Sequence, residues 1–217
     1  MQSTFKHSAR KPLQPVARLL RKIGARPDHV TLAGLLAACV TAVYLAAGHL
    51  LPALIWMIVS LLCDMLDGDL ARLDPRRTSP FGAFLDSSVD RVSEAVVFGG
   101  LLIGQAQHGA GAERIWLIAW ILALTGSFMV SYARARAEGL GIACAVGFAE
   151  RPERMVVLLA LIIAGWRFSI WFLAVLALMS WLTVIQRLVH VARSARPAAR
   201  VAAESESADP GPEAQQA

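Results

Sequence analysis

The chain has 217 residues, of which 56% are hydrophobic and only 17% charged, with a formal net charge of +5. Soluble domains run at about 45–50% apolar residues with Gly included and about 25% charged residues, so this composition argues against a soluble globular domain. Apolar runs recur at 30–47, 50–63, 95–104, 115–130, 155–165 and 168–185; six crossings of about 20 residues each would take up about 120 residues, which leaves no length for a second domain.

The N-terminal residues are basic and lack an apolar core followed by a small-residue cleavage site, so no cleavable signal peptide is expected. Residues 12–23 predict an amphipathic helix: Leu13, Val16, Ala17, Leu20 and Ile23 recur at helical spacing, with Arg18, Arg21 and Lys22 on the other face. Such a helix can lie in the headgroup layer with its arginines toward anionic lipid. Pro27 suits a helix start, where Asp28 or Thr31 is expected to serve the unpaired amides. That start separates a cytoplasmic N-terminal segment, 1–27, from a membrane domain, 28–193. The expected fold is an all-α integral membrane protein of six transmembrane helices preceded by an amphipathic juxtamembrane helix.

If the six runs alternate across the membrane, only Arg114 and Arg167 of the 21 Lys and Arg residues fall outside. Lys6, Arg10, Lys11, Arg18, Arg21, Lys22 and Arg26 all precede the first run. By the positive-inside rule both termini are cytoplasmic, and the protein is a multi-pass cell-membrane protein. Cys39, Cys63 and Cys144 lie far apart and read as small buried hydrophobes, not as a disulfide or thiolate metal site. From Ser194 the chain consists mostly of Ala, Pro, Glu, Ser and Gln without apolar periodicity, which predicts a disordered cytoplasmic tail over 194–217. The arginines form no stripe with interleaved aromatics, so nucleic acid is not an expected partner.

The unusual chemistry lies between Asp64 and Asp90. Asp64 and Asp67 are three residues apart and Asp86 and Asp90 four apart, so on helices each pair projects from one face. A carboxylate inside a membrane segment costs about 2.5–3.5 kcal/mol on insertion scales, and four together call for a compensating partner. An all-oxygen cluster suits hard divalent cations, magnesium or manganese, and four carboxylates can hold two ions. Gly68 and Gly82, which lack Cβ, let a bulky phosphate or base approach the backbone beside such ions. Arg72, one turn beyond Gly68, has the planar donors to neutralise a phosphate oxygen.

Asp64, Asp67, Gly68, Ala71, Arg72, Gly82, Asp86 and Asp90 occur in an order and spacing that resembles the signature of the CDP-alcohol phosphatidyltransferases. These are six-helix membrane enzymes, typically dimeric. The resemblance implies transfer of a phosphatidyl group from CDP-diacylglycerol to an alcohol with release of CMP. It implies Asp64, Asp67 and Asp86 as metal ligands, Asp90 as a further ligand and as the base for the acceptor hydroxyl, and Gly68, Arg72 and Ser79 facing the nucleotide and diphosphate. It also implies Asp28 and Thr31 as contacts on the cytidine side.

The segments 131–138, 147–154 and 186–188 resemble those of prokaryotic phosphatidylinositol phosphate synthases, whose acceptor is inositol phosphate. The resemblance implies that Arg134, Arg151 or Arg154, and Arg187 bind the acceptor's phosphate. The residues agree in kind, since several arginines at cytoplasmic helix ends suit a dianionic phosphomonoester. Glycerol 3-phosphate, the acceptor of phosphatidylglycerophosphate synthases, is the rival within the family. Outside it, a divalent-cation transporter would spread acidic residues through the membrane depth, whereas here they cluster at one cytoplasmic face. A non-catalytic relative would be expected to lack one of the four aspartates, and all four are present.

Overall fold

A computed structural model describes residues 14–73, 79–109 and 113–208. The described residues form α1 (Gln14–Lys22), α2 (Pro27–Ala46), α3 (Leu50–Leu73), α4 (Pro80–His108), α5 (Arg114–Gly139), α6 (Arg151–Ala164), a 3-10 turn (Trp166–Phe168) and α7 (Ser169–Ala208), with no strand among them. Among the described residues four segments are long and apolar enough to cross a membrane: Pro27–Ala46, Leu50–Leu73, Arg114–Gly139 and Trp166–Ala195. The other two expected crossings differ for different reasons. α4 has 29 residues but carries Asp86, Asp90, Arg91 and Glu94 in its first half. α6 has 14, about 21 Å at 1.5 Å per residue, against a hydrocarbon layer of about 30 Å.

Two boundaries differ from the sequence expectation. Arg26 is the N-cap of α2 and no side chain caps that helix, although Pro27 does occupy its first turn; Thr31 is turned to other partners described below. At the far end α7 continues to Ala208, beyond the tail boundary set at 193. Ala, Arg and Glu, which dominate the sequence after that boundary, are strong helix formers, and a helix already started propagates at one hydrogen bond per residue. Residues 209–217 of the predicted tail, and 12–13 of the predicted first helix, lie outside the described residues.

The chain divides into two compact units, Met1–Trp120 with Leu158–Phe172, and Ile121–Val157 with Leu173–Ala217. In the first, α2 packs between α3 and α4, and α1 packs on α3. These contacts are close because small residues meet. A Cβ on Gly34 would stand 3.1 Å from Cys63 Cβ, and one on Gly100 2.6 Å from Ala42 Cα, the small-residue contact that lets membrane helices approach without a hydrophobic drive. Ser60 Oγ donates to the Gly34 carbonyl at 2.9 Å. At the other end of the same unit Trp116 Nε1 donates to Ser169 Oγ at 2.8 Å and Ser169 Oγ to Gln105 Oε1 at 2.9 Å, so these buried polar groups are satisfied where water is absent.

The second unit is organised around α7. Trp181 Nε1 donates to the Leu122 carbonyl at 3.0 Å, and Thr183 Oγ1 accepts from the Ala149 amide at 3.1 Å. Gly147, at φ +107°, sits where a side chain would collide with Thr183 Cγ2; the irregular 140–150 segment therefore lies directly on α7.

Candidate active site

The first unit carries the aspartates. α3 extends past its apolar run and keeps Asp64 and Asp67 on one helix, while Ser79 caps α4 by accepting from the Gly82 amide at 2.9 Å. That cap starts the helix early enough to project Asp86 nearly two turns in. Asp64, Asp67 and Asp86 converge: each offers a carboxylate oxygen, and the three oxygens lie within 4.8 Å of one another. Asp67 is buried at 6% exposure, while Asp64 and Asp86 are half-buried. Three like charges at this separation repel strongly in a medium of low dielectric, and an oxygen-only donor set is what a hard divalent cation requires. The residues thus fit a magnesium or manganese ion, with these three aspartates as the group that would hold it.

Asp90 is not one of the trio. It lies a turn further along α4 and pairs with Arg91 at 3.1 Å.

Beside the trio is a cavity of about 210 Å³, lined by Pro27, Asp28, Thr31, Asp67, Gly68, Ala71, Ser79, Gly82, Ala83 and Asp86. Of the residues expected on the CDP-lipid side, Asp28, Thr31, Gly68 and Ser79 share one space with Asp67 and Asp86 of the trio, and Arg72 is not among the lining residues. Both motif glycines line the cavity. A Cβ on Gly82 would stand 3.0 Å from Asp28 Oδ1 and 3.3 Å from Ser79 Oγ, so the missing side chain keeps that wall open.

Two features escaped the motif. Thr31 Oγ1 donates to Asp67 Oδ2 at 2.8 Å, which makes it a support for the aspartate trio as well as a lining residue. Asp69, buried at 7% exposure, forms an ion pair with Arg72. On a helix, a residue two positions from Asp67 does not share its face, so motif spacing gave no reason to single it out. A long-range hydrogen bond such as Thr31 to Asp67 has no periodic signature at all.

The arginines expected at the acceptor belong to the second unit. Arg134, on α5, is exposed and bonds Glu138 Oε1 at 2.8 Å. Arg151 is the first residue of α6 and half-buried. Arg154 and Arg187 are buried at 1% and 2% exposure. Arg154 Nη1 donates to the Ala149 carbonyl at 3.1 Å; Arg187 donates to the Val146 carbonyl at 2.9 Å and also to the Val130 carbonyl. Both guanidiniums thus brace the 140–150 segment.

The comparisons with known proteins agree with this geometry. Residues 25–186 match the model of a family described as CDP-alcohol phosphatidyltransferase. The chain is similar to an archaetidylinositol phosphate synthase of Methanothermobacter thermautotrophicus, 38% identical over 195 residues, covering 88% of this chain and 94% of the relative. It is also similar to a phosphatidylinositol phosphate synthase of Streptomyces avermitilis, 36% identical over 219 residues, 92% of this chain and 86% of the relative. Among solved structures it resembles the Mycobacterium tuberculosis phosphatidylinositol phosphate synthase with CDP-DAG bound, at a TM-score of 0.73 and 35% identity, covering 82% of this chain and 92% of that one. A second structure of that enzyme, in complex with manganese and citrate, matches at a TM-score of 0.72 and 35% identity, covering 82% of this chain and 88% of that one. The aspartate trio, the cavity beside it and the match across most of the sequence lead to one conclusion: this membrane protein belongs to the CDP-alcohol phosphatidyltransferase family.

Proposed function

We propose that the protein transfers a phosphatidyl group from CDP-diacylglycerol to the hydroxyl of inositol 1-phosphate, giving phosphatidylinositol phosphate and CMP. The observation that carries the reaction type is the convergence of Asp64, Asp67 and Asp86 beside a cavity walled by Asp28, Thr31, Gly68 and Gly82. The acceptor is supported by the relatives, which are named for inositol phosphate lipids in both phosphatidyl and archaetidyl forms.

In this reading the site takes two ions, magnesium or manganese, held by Asp64, Asp67, Asp86 and Asp90, and the ions supply charge stabilisation at the diphosphate and the departing CMP. Asp28 and Thr31 contact the cytidine. Gly68 admits the diphosphate close to the backbone, Arg72 neutralises it and Ser79 lies along its path. Asp90, one turn beyond Asp86 on α4, also takes the proton of the acceptor hydroxyl, a role that needs a carboxylate within hydrogen-bond reach of that oxygen. Arg134 and Arg151 meet the acceptor's phosphate directly, while Arg154 and Arg187 complete that site and hold the segment around it. The polypeptide divides into an interfacial segment 1–27, a catalytic domain 28–193 and a cytoplasmic tail. It crosses the membrane six times, with both termini and the active site cytoplasmic, and works as a homodimer.

The test is CMP release by purified protein given CDP-diacylglycerol and a divalent cation, with inositol 1-phosphate, glycerol 3-phosphate, free inositol and serine in parallel, and the lipid product identified by mass. Product with inositol phosphate alone is expected. Product with glycerol 3-phosphate alone would keep the aspartate chemistry and replace the acceptor.

A further inference from the structure

The strongest feature that the motif leaves unused is Asp69. Its side chain is 9% exposed while that of its partner Arg72 is 54% exposed, so the pair is asymmetric: an enclosed carboxylate holds a long, largely exposed cation. Only Oδ1 of Asp69 is used. Oδ2 is buried with no hydrogen-bond partner among the described residues, although a guanidinium can engage both oxygens of a carboxylate at once. Arg72 is therefore held by one arm.

The same guanidinium also lies against Gly68, a residue of the cavity wall, while Arg72 itself is not among the residues that line the cavity. A Cβ built on Gly68 would stand 3.5 Å from Arg72 Nη2 and 3.7 Å from Nη1, and Gly68 and Ala71 both line the cavity. Arg72 thus lies across the bare flank of Gly68, and Asp69 is the carboxylate that keeps it there. An exposed arginine otherwise distributes over many rotamers, and ordering it when a ligand binds costs conformational entropy. An ordinary surface ion pair between neighbouring turns of a helix has both partners in solvent and contributes little. Here the carboxylate is enclosed, which a helix tolerates only at a desolvation cost.

We propose that Asp69 is a positioning residue for the CDP-lipid: it pre-orders the Arg72 guanidinium over Gly68 so that the remaining donors of Arg72 meet the diphosphate. This rests on the reading of Arg72 as a diphosphate contact given above. Asp69 itself touches neither substrate nor metal in this account.

The experiment measures KM for CDP-diacylglycerol, KM for inositol 1-phosphate, kcat and melting temperature for Asp69→Asn, Asp69→Glu and Arg72→Ala at saturating manganese. Asp69→Asn is expected to raise KM for the CDP-lipid about three- to tenfold, the size of a charge-assisted contact loosened and not lost. Its kcat, KM for inositol phosphate and melting temperature stay near those of the native chain. Asp69→Glu, which retains the charge, recovers most of the loss, and Arg72→Ala raises the same KM by more than Asp69→Asn. If Arg72→Ala raises it and Asp69→Asn does not, the positioning role is wrong and the diphosphate contact stands. If neither variant changes it, the Arg72 contact itself fails, and the proposal with it. A fall in kcat and melting temperature together, or failure of both Asp69→Asn and Asp69→Ser to fold, makes Asp69 a structural residue and overturns the proposal.

Discussion

Thr31 on α2 donates a 2.8 Å hydrogen bond to Oδ2 of Asp67 on α3. The Pro27 carbonyl lies 3.1 Å from the same hydroxyl, but the single proton favours the shorter bond to a carboxylate, which is the stronger acceptor. Asp67 is the most buried member of the trio, so its orientation depends on a helix 36 residues away in sequence.

Thr31→Val keeps the side-chain volume and removes the donor. Because groups that orient metal ligands typically account for about 10–100-fold in metal affinity or activity, the half-saturating manganese concentration is expected to rise within that range. Thr31→Ser, which keeps the hydroxyl, should stay close to native. Manganese titration of CMP release for both variants checks this, and equal curves would remove Thr31 from the support of the metal site.

Asp90→Asn is expected to lower turnover by about 10²–10⁴-fold, the contribution typical of a general base, while metal-dependent binding of CDP-diacylglycerol persists. Asp64→Asn, by contrast, should lose manganese binding as well as turnover. Binding of the CDP-lipid to each variant with and without manganese separates the two; substantial turnover in Asp90→Asn would mean another group takes the proton.

Gly82→Ala places a methyl group 3.0 Å from Asp28 Oδ1 and 3.3 Å from Ser79 Oγ. Both neighbours line the cavity, and overpacking of this kind weakens binding by roughly an order of magnitude. The expected result is a raised KM for CDP-diacylglycerol with an unchanged KM for the acceptor.

Arg134→Ala and Arg187→Ala should both raise KM for inositol 1-phosphate, but only the second should affect the fold. Arg134 is exposed in a helical pair with Glu138, worth within about 0.5 kcal/mol. Arg187 is buried on two backbone carbonyls, and stranding those acceptors is expected to cost about 2 kcal/mol or more. Thermal melting in detergent alongside acceptor kinetics reads both effects. If Arg151→Ala and Arg187→Ala leave the acceptor KM unchanged, the phosphate-site assignment is wrong.

Much of this was legible in the sequence because it is local. The aspartates repeat at three and four residues, which on a helix is one face, and their number inside an apolar chain points to metal. The all-helical class follows from apolar runs too long for strands, and Pro27 marks the start of α2 as its fixed φ requires. The crossing count was less legible. The runs at 95–104 and 155–165 read as crossings by local hydropathy, but the helices that carry them fall short of α3 and α5: α4 has a charged first half and α6 has 14 residues.

What the sequence by itself determined was which residue types stand at which spacings: carboxylates on single helix faces, which suit a divalent cation, with glycines and an arginine beside them. The tertiary structure decided the partners. It brought Asp86 of α4 to Asp64 and Asp67 of α3, set Asp90 beside Arg91, gave Asp67 its support from Thr31, paired the enclosed Asp69 with Arg72, and buried Arg154 and Arg187 on the carbonyls of one segment. The physical reason is that helical periodicity is written every three to four residues, whereas contact between helices depends on the register at which small residues such as Gly34 and Gly100 let two backbones approach, and no local pattern encodes that register.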